Sequence, residues 1–339
     1  MSEQIKNITG NVLCDATATF LNGAGLAAGE DQNTMIPKTF KETINGRKED
    51  VPYVSAQAWR RWLRNTANEE NGWPASELHA IETNAKGATS KIATELDPIT
   101  YPEDDLFGYM KSSKGDESIQ RTSPFKTSIL RGIPKMRALT VDNAFVFPKA
   151  GTPLPYSTRF YSTHLEGFFN LECYRLGRFV NTPSRMELAT DLVNKYNDVL
   201  IEENSQKNMV VYTLRNAEQL RKVRAAGLLK GLVHLRGGAK MAAFGADVSP
   251  KVIVFAGMSS ANPCFNNLYI GDGERPKLNV DLLKELACDY KDKLQTPICI
   301  GIRKGYLENE NEVRGLDGDN FIVDSPIRIA EMFIDKYLK

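Results

Sequence analysis

Clustered arginines and lysines are the residues of this sequence whose types and spacing suggest a chemistry. Residues 121–137 contain five basic residues and no acid, and residues 209–240 carry a net charge of +6. Arg60, Arg61 and Arg64 crowd a third segment. Such clusters bind the phosphates of a polyanion such as RNA, although solvated helix faces have the same composition. The charge pattern alone leaves both interpretations open.

An acidic segment balances these clusters. Residues 92–107 contain five acids and no Lys or Arg, and two of the acids are adjacent at Asp104 and Asp105. The whole chain has 43 basic and 42 acidic residues, so its formal net charge of +1 hides separated patches. A cation site at the Asp pair is one interpretation, and a solvated loop is the simpler one. The split between residues 92–107 and 121–137 also predicts head-to-tail self-association, in which a basic surface of one copy meets an acidic surface of the next.

The sequence offers little support for an enzyme. None of the three histidines, His79, His164 and His234, lies at metal-ligand spacing from a cysteine or another histidine, so no metal site is expected. His164 and His234 are predicted to be hydrogen-bonded structural residues. The sequence contains no G-x-S-x-G motif, and GLVHLRGGAK (231–240) lacks the spacing of a phosphate-binding loop. We therefore expect no cofactor and no catalysis.

The Gly237–Gly238 pair has two interpretations. Beside Arg236 and Lys240, its backbone N–H groups could approach a phosphate. The same pair suits the end of a helix predicted over residues 216–234.

Helices and strands must position these residues. Ser55 is a good N-cap for a helix over residues 55–67, which places Trp59, Trp62 and Leu63 on one face and the three arginines on the other. Strands are predicted at 5–20, 144–148, 164–180, 209–214, 252–255 and 297–302, and helices at 185–203, 216–234, 280–293 and 326–338. This alternation predicts an α+β fold with an antiparallel sheet at its centre.

The chain is predicted to form a single domain over residues 1–339. Residues 21–50 are interpreted as a loop insertion, and residues 68–120 as an insertion that carries short helices. The sequence has no apolar stretch long enough for a membrane span, no signal-peptide pattern and no paired cysteine motif, so we expect a cytoplasmic protein with free thiols.

Phe168 and Phe169 are neighbours on a predicted strand, so they face opposite sides of the sheet and at least one is expected in the core. The surrounding segment, EGFFNLECY, departs from the RNA-stacking pattern of RNA-recognition motifs, so stacking on the sheet face is not expected.

Four segments together resemble a known family. VPYVSAQAWRRWLRNT (51–66) resembles the serine-and-arginine helix of CRISPR-associated Cascade backbone proteins of the DevR branch, and the type I-B subunit most of all. DLFGYM (105–110), RTSPFKTSI (121–129) and RGGAKMAAFG (236–245) follow in the order of that family. The resemblance implies an RNA-recognition-motif-like (ferredoxin-like) palm with large helical and loop insertions. The resemblance also implies that copies of the protein stack head to tail along a CRISPR guide RNA. A loop of each copy is then expected to insert between bases of the guide.

The resemblance also implies a function in antiviral defence. The protein is expected to be a non-catalytic backbone subunit of a type I Cascade surveillance complex, because the guide reads sequence by base pairing and the protein needs only backbone contacts. Its implied partners are the guide RNA, target DNA through the guide, further copies of itself and other Cascade subunits, without a membrane. The candidate RNA-binding residues are Gln57, Arg60, Arg61, Arg64, Arg121, Lys126, Arg131, Arg236, Gly237, Gly238 and Lys240. Arg60 and Arg64, one helical turn apart, are predicted to contact phosphates unless they form surface salt bridges.

Two other functions remain open at this point. Related type III backbone subunits are metal-dependent endoribonucleases that cut target RNA with an acidic loop residue, and Asp31 in the glycine-bearing loop is the candidate here. A DNA-binding regulator is suggested by the autoregulator name of the branch, but no helix-turn-helix pattern supports it.

Overall fold

A computed structural model describes residues 5–28, 33–44, 46–83, 87, 89–112, 118–133, 138–205, 208–271 and 273–338. Its helices are α1 (Ala56–Asn71), α2 (Pro102–Phe107), α3 (Thr190–Lys195), α4 (Ala217–Val233), α5 (Met241–Phe244), α6 (Val280–Asp289), α7 (Glu310–Arg314) and α8 (Pro326–Phe333). Its strands are β1 (Asn7–Thr19), β2 (Gly23–Leu26), β3 (Thr34–Pro37), β4 (Thr39–Ile44), β5 (Arg47–Val54), β6 (His79–Thr83), β7 (Thr89–Ala93), β8 (Tyr109–Lys111), β9 (Ile119–Arg121), β10 (Phe125–Thr127), β11 (Leu130–Gly132), β12 (Ala138–Val146), β13 (Leu154–Glu172), β14 (Arg178–Thr182), β15 (Arg185–Met186), β16 (Leu200–Ser205), β17 (Met209–Leu214), β18 (Pro250–Met258), β19 (Tyr269–Ile270), β20 (Lys277–Leu278), β21 (Ile298–Ile302) and β22 (Phe321–Asp324). Cys173–Arg175 form a 3₁₀ turn, and Ile334–Leu338 continue α8 as a π-helical turn.

A large, mostly antiparallel sheet organises these elements, as the sequence predicts. Its main strand order is β22-β21-β18-β1-β13-β11-β5-β4. The central strand β1 is antiparallel to both of its neighbours, β13 and β18. Strands β10, β11 and β12 all pair antiparallel with the long strand β13, which therefore joins most of the sheet together.

Three helices cover one face of this sheet. Trp59 and Leu63 of α1, Leu228 of α4 and Phe333 of α8 are buried in one core cluster with Phe169 of β13. Full burial of each such side chain contributes about 1.5–3 kcal/mol, so this cluster fixes the helices on the sheet. Among the helices of the described residues, none is long and apolar enough to span a bilayer.

The opposite face is covered only in part. A second core cluster joins Val252 and Val254 of β18 and Ile300 of β21 to Leu283 of α6 and to Phe265 in the segment before β19. These side chains alternate along β18 with those of the first cluster, because successive residues of a strand face opposite sides. The cover reaches β13 at His164 and Glu166, which bond Tyr306 and the Leu268 N–H.

The predicted helix over residues 185–203 is wrong. Strands β15 and β16 and the single turn α3 occupy this segment, which belongs to a second sheet ordered β16-β17-β14-β15-β9-β8. The apolar side chains that suggested a helix do meet in one cluster with Phe179: Leu188, Leu192, Val193, Tyr196 and Leu200. They reach that cluster from a loop, a turn and a strand, so their spacing reflects tertiary packing and not helical periodicity.

The two predicted insertions also contain more strand than expected. The described parts of residues 21–50 form β2, β3, β4 and the start of β5. Residues 68–120 contain the end of α1, the hairpin β6–β7, the short α2, and strands β8 and β9. In β4 the sequence TFKETI alternates between half-buried and exposed positions over its last four residues, which suits one strand at a sheet edge.

Candidate nucleic-acid interface

Helix α1 begins as the sequence predicts. The Ser55 hydroxyl accepts a hydrogen bond from the Ala58 N–H at 3.4 Å, and Gly72 ends the helix in a left-handed conformation. Trp59 and Leu63 are fully buried, and the Trp59 indole N–H donates to the Ser128 carbonyl at 2.8 Å. The apolar face of α1 is therefore fixed against the sheet.

Arg60 and Arg64 do not point to solvent with the other polar residues of α1. The Arg60 guanidinium donates to the Phe125 carbonyl at 2.6 Å and to the Ser123 hydroxyl at 2.8 Å. Arg64 lies 3.1 Å from a Glu103 carboxylate oxygen, and both guanidiniums lie over the Phe107 ring.

Burial lowers the pKa of Arg60 to about 10, and burial also lowers the pKa of Arg64. A guide phosphate would have to displace their existing partners. Arg60 and Arg64 connect α1 to α2 and β10, and their predicted phosphate contacts stay predictions.

Gln57 and Arg61 occupy the outward face of α1. Both are exposed, and a separation of four residues places them one above the other on the helix surface. Of the three arginines in this segment, Arg61 is therefore the one whose position suits a phosphate contact.

The loop after α4 lies directly beside this face of α1. The Arg236 N–H donates to the Thr66 hydroxyl at 3.2 Å, and the Arg236 guanidinium pairs with Glu69 and Glu70 at 2.6 Å each. A Cβ atom at Gly237 would lie 2.2 Å from the Trp62 ring. Close packing on α1 is therefore one reason for glycine here, while the predicted phosphate contacts of Arg236 and Gly237 stay predictions.

Gly238 and Lys240 continue this loop beside a group of aromatic rings. Gly238 has a φ of +135°, and a Cβ atom there would lie 2.8 Å from a Leu21 methyl group. The Lys240 ammonium donates to the Thr158 hydroxyl at 2.6 Å and lies 5.3 Å from the centre of the Phe20 ring. The Phe244 ring lies 6.5 Å from that of Phe20. Phe20 is 1% exposed, so the partly buried Phe244 is the ring of this pair that a base could reach.

Lys126 and Arg131 lie on the sheet face that the three helices do not cover. The Lys126 ammonium is half exposed and bonds Glu172 at 2.6 Å. Arg131 donates to the Asn267 side chain at 3.1 Å and lies 3.6 Å from Glu42. The predicted RNA-binding residues therefore divide into two groups, one at α1 and the Arg236–Lys240 loop, and one on this face.

Arg121 belongs to neither group, because its side chain is completely buried. It pairs with Asp105 and with Glu187, and its guanidinium lies 4.7 Å from the centre of the Phe179 ring. Asp105 also pairs with the buried Arg224. The prediction that Arg121 contacts RNA is corrected, since its positive charge is already neutralised inside the protein.

The acidic segment is also not a surface patch. Asp97, Glu103, Asp104 and Asp105 are all buried. Asp97 lies 3.3 Å from Lys195 and bonds the Tyr196 hydroxyl. Burial raises the pKa of the Asp104 carboxyl to about 6, and Asp104 accepts a hydrogen bond from Ser76. The Asp104–Asp105 pair is thus buried and not a solvated loop, and Asp105 pairs internally with Arg121 and Arg224. The predicted self-association stays a prediction.

Within the residues that the structure describes, Glu77, His79 and Glu95 have ligand atoms within 4.8 Å of one another. All three are exposed, and a 2.6 Å bond between His79 and Glu95 explains their proximity without an ion. That bond raises the pKa of His79. His164 bonds the Tyr306 hydroxyl at 2.5 Å, as expected of a structural histidine, whereas Asp31 lies outside the described residues.

Comparison with known protein families shows to which family the chain belongs. Residues 8–270 match the family model of the CRISPR-associated negative auto-regulator DevR/Csa2. The chain belongs to the DevR/Csa2 family. No curated protein matches this DevR/Csa2-family chain.

A solved structure shares the fold of this DevR/Csa2-family chain. This chain is similar to a chain of a "CRISPR RNA-guided surveillance complex, pre-nicking", with a TM-score of 0.55 and 12% identity over 97% of this chain and 99% of the other. A chain of another "CRISPR RNA-guided surveillance complex" has a TM-score of 0.49 and 12% identity over 97% of this chain and 98% of the other.

Sequence reasoning missed the aromatic part of the interface in this DevR/Csa2-family chain. Phe160 lies 5.6 Å from Phe244, next to Phe20, so residues from three distant segments meet beside Lys240. One signal was available, since Phe244 follows Lys240 by only four residues. The positions of Phe20 and Phe160 depend on the pairing of β1 with β13, which the sequence alone does not specify.

Proposed function

We propose that this DevR/Csa2-family protein is a non-catalytic backbone subunit of a type I Cascade surveillance complex, which binds the guide RNA and presents it for pairing with target DNA. The observation that carries the proposal is the packing of the Arg236–Lys240 loop on α1, where a Cβ atom at Gly237 would lie 2.2 Å from the Trp62 ring. Family membership and the shared fold support it. Other Cascade subunits and further copies of the chain are the proposed partners, in the cytoplasm.

The proposal includes an RNA-recognition-motif-like palm, and the strand order supports this part. In chain order, β1, β10 with β11, β13 and β18 alternate with α1 and α4 in the sequence β-α-β-β-α-β. In space they lie in the order β18-β1-β13-β11, all antiparallel, with both helices on one face. This arrangement is typical of ferredoxin-like folds.

The proposed contacts are to the RNA backbone, because a guide of any sequence must fit the same protein. Arg61 supplies an exposed guanidinium, and Lys240 supplies an ammonium beside the Phe20 ring. Both cations lie next to the Gly237–Gly238 turn, whose backbone can approach a phosphate closely.

Replacing Arg61 and Lys240 together with alanine should weaken the binding of single-stranded RNA. Two fewer released counterions should reduce the slope of log K against log salt by about 1.4. Fluorescence anisotropy of a labelled RNA over a salt series measures this slope. The matched control is Lys284→Ala with Lys291→Ala, which removes two exposed cations from α6 and the turn after it. An unchanged slope in the Arg61 and Lys240 variant would rule out this interface.

The same samples test the absence of catalysis. With guide, complementary RNA and Mg²⁺ or Mn²⁺, we expect the RNA to stay intact. Cleavage of target RNA that disappears in Asp31→Ala would establish the endoribonuclease function in place of the scaffold.

We further propose that the hairpin β12–β13 carries self-association. The part of β13 before Tyr161 extends beyond β1, and with β12 it forms a projecting hairpin. Phe145 and Phe147 near its end are 60% and 75% exposed. Exposed apolar groups of this kind mark interaction sites, and a projecting element that docks on a different surface of the next copy produces open-ended growth.

Phe145→Asp with Phe147→Asp should abolish assembly of several copies on guide RNA without lowering the unfolding temperature. Electron microscopy should show curved filaments or arcs for the wild type and single copies for the variant. Val223→Asp is the matched control, since Val223 is a 50% exposed apolar residue on α4. Arcs formed by the Phe145 and Phe147 variant would show that another surface joins the copies.

A further inference from the structure

The sheet face opposite the three helices is partly covered and leaves a cleft open. The Asn11 amide donates to the Phe265 carbonyl at 2.9 Å, which holds the segment before β19 over β1. The Leu268 N–H and the Asn11 amide also donate to Glu166 at 2.9 Å each. Beyond this cover, a cleft of about 350 Å³ lies over β11 and β13.

Aromatic rings form part of the wall of this cleft. Phe168 lies opposite Asn11 in the register of β1 and β13, so its ring faces away from the helices, whereas Phe169 is 1% exposed in the core. Phe40 of the edge strand β4 also lines the cleft. The Phe168 N–H donates to the Ser128 hydroxyl at 2.8 Å, which fixes the backbone beneath the ring.

Polar groups converge on the same space. Arg131 lines the cleft with a third of its side chain exposed, and the amides of Asn266 and Asn267 lie beside it. The Arg131 guanidinium bonds Asn267 and lies 3.6 Å from Glu42, a longer ion pair that a phosphate can replace. The cleft thus combines a stacking surface, a cation, amide groups and the carboxylate of Glu166, which already accepts hydrogen bonds from Asn11 and Leu268.

We propose that this cleft receives one unstacked base of the bound RNA, which stacks on Phe168 while Arg131 pairs with its phosphate. The proposal rests on the proposed guide-binding function and adds a second contact region to it. Stacking on a phenylalanine ring tolerates every base, because each base has a π-face, so the contact suits a guide of any sequence. The volume is near the lower limit for ligand pockets and fits a single nucleotide.

The cleft is lined by both aromatic and polar side chains, and this favours RNA over a protein segment as its occupant. An apolar side chain of another copy would gain little beside the guanidinium of Arg131 and the amides of Asn266 and Asn267, which it cannot hydrogen-bond. A nucleotide uses the ring and the cation together.

The test compares Phe168→Ala with Phe168→Tyr in the full-length protein. Anisotropy of a labelled single-stranded RNA should show about tenfold weaker binding for Phe168→Ala, wild-type binding for Phe168→Tyr, and the same salt slope for both. Arg131→Ala should instead reduce the salt slope by about 0.7. Tyr174→Ala, which removes a 43% exposed ring elsewhere, is the matched control. Photo-cross-linking with 4-thiouridine RNA should mark the peptide that contains Phe168, and unfolding curves verify that the variants are folded.

The outcomes separate this proposal from the function on which it depends. If Phe168→Ala binds RNA as tightly as the wild type and no cross-link forms at this peptide, the cleft proposal is wrong. The proposed guide-binding function is then unaffected. A wild-type protein that does not bind RNA overturns both. Loss of self-association without RNA in Phe168→Ala would identify a second copy as the occupant and overturn the RNA proposal.

Discussion

Asp105→Ala should lower the free energy of unfolding by about 3–5 kcal/mol, the cost of breaking a buried ion pair by removing one partner. The Asp105 carboxylate and the Arg121 side chain are completely buried, and the Arg224 side chain is 4% exposed. The carboxylate also accepts the Gly177 N–H at 3.0 Å. Without it, two guanidiniums lose their shared counter-charge inside the protein. Urea unfolding at neutral pH, followed by circular dichroism, measures the change.

Asp50→Ala is the matched control. Asp50 pairs with Lys41 at 2.8 Å, but the two side chains are 37% and 65% exposed, so its loss should cost less than about 1 kcal/mol. Equal unfolding midpoints for Asp105→Ala and Asp50→Ala would show that the buried network contributes no more than a surface pair.

Gly237→Ala should be the second strongly destabilising change, by about 2–4 kcal/mol. Its φ of +151° disfavours any side chain, and the new Cβ would overlap three atoms of Trp62 at the root of the indole, where the ring cannot rotate away. The loop must then leave α1, and Lys240 moves with it. Both the unfolding midpoint and RNA affinity should therefore fall.

Gly245→Ala separates strain from packing. Gly245 has a φ of +55°, but a Cβ atom there meets nothing within 4 Å. This control should show only the backbone cost of about 1–2 kcal/mol, with RNA binding retained. If Gly237→Ala is no worse than Gly245→Ala, the contact with Trp62 is not what requires glycine at position 237.

Local patterns predicted the frame of the candidate site well. The cap at Ser55 and the apolar spacing of Trp59 and Leu63 specify α1, because capping and amphipathicity depend only on neighbours in sequence. The alternation rule likewise predicted that at least one of Phe168 and Phe169 lies in the core, and Phe169 does. What it could not reveal is the cleft at Phe168, because its other walls come from distant parts of the sequence: Phe40, Ser128–Arg131 and Asn266–Asn267.

Charge was the least reliable guide, because counting residues says nothing about pairing. Arg60 follows the same spacing rule as Arg61, yet its guanidinium is bound by the carbonyls and hydroxyl of another segment. Arg224 meets Asp105 across 119 positions of sequence, so these two charges neutralise each other inside one molecule. Only the folded structure distinguishes charged side chains that form ion pairs inside the protein from those that are exposed to a partner.

The length of β13 sets a distance scale for the proposed assembly. The seven residues from Leu154 to Phe160 extend beyond β1, which corresponds to about 23 Å of extended strand. If the hairpin end docks on the next copy, this projection acts as a ruler that determines the spacing between copies and the number of guide nucleotides each one spans. Because side-chain direction along a strand repeats every two residues, the length of the hairpin can change only in steps of two residues per strand. Any other change would turn its docking face away from the next copy.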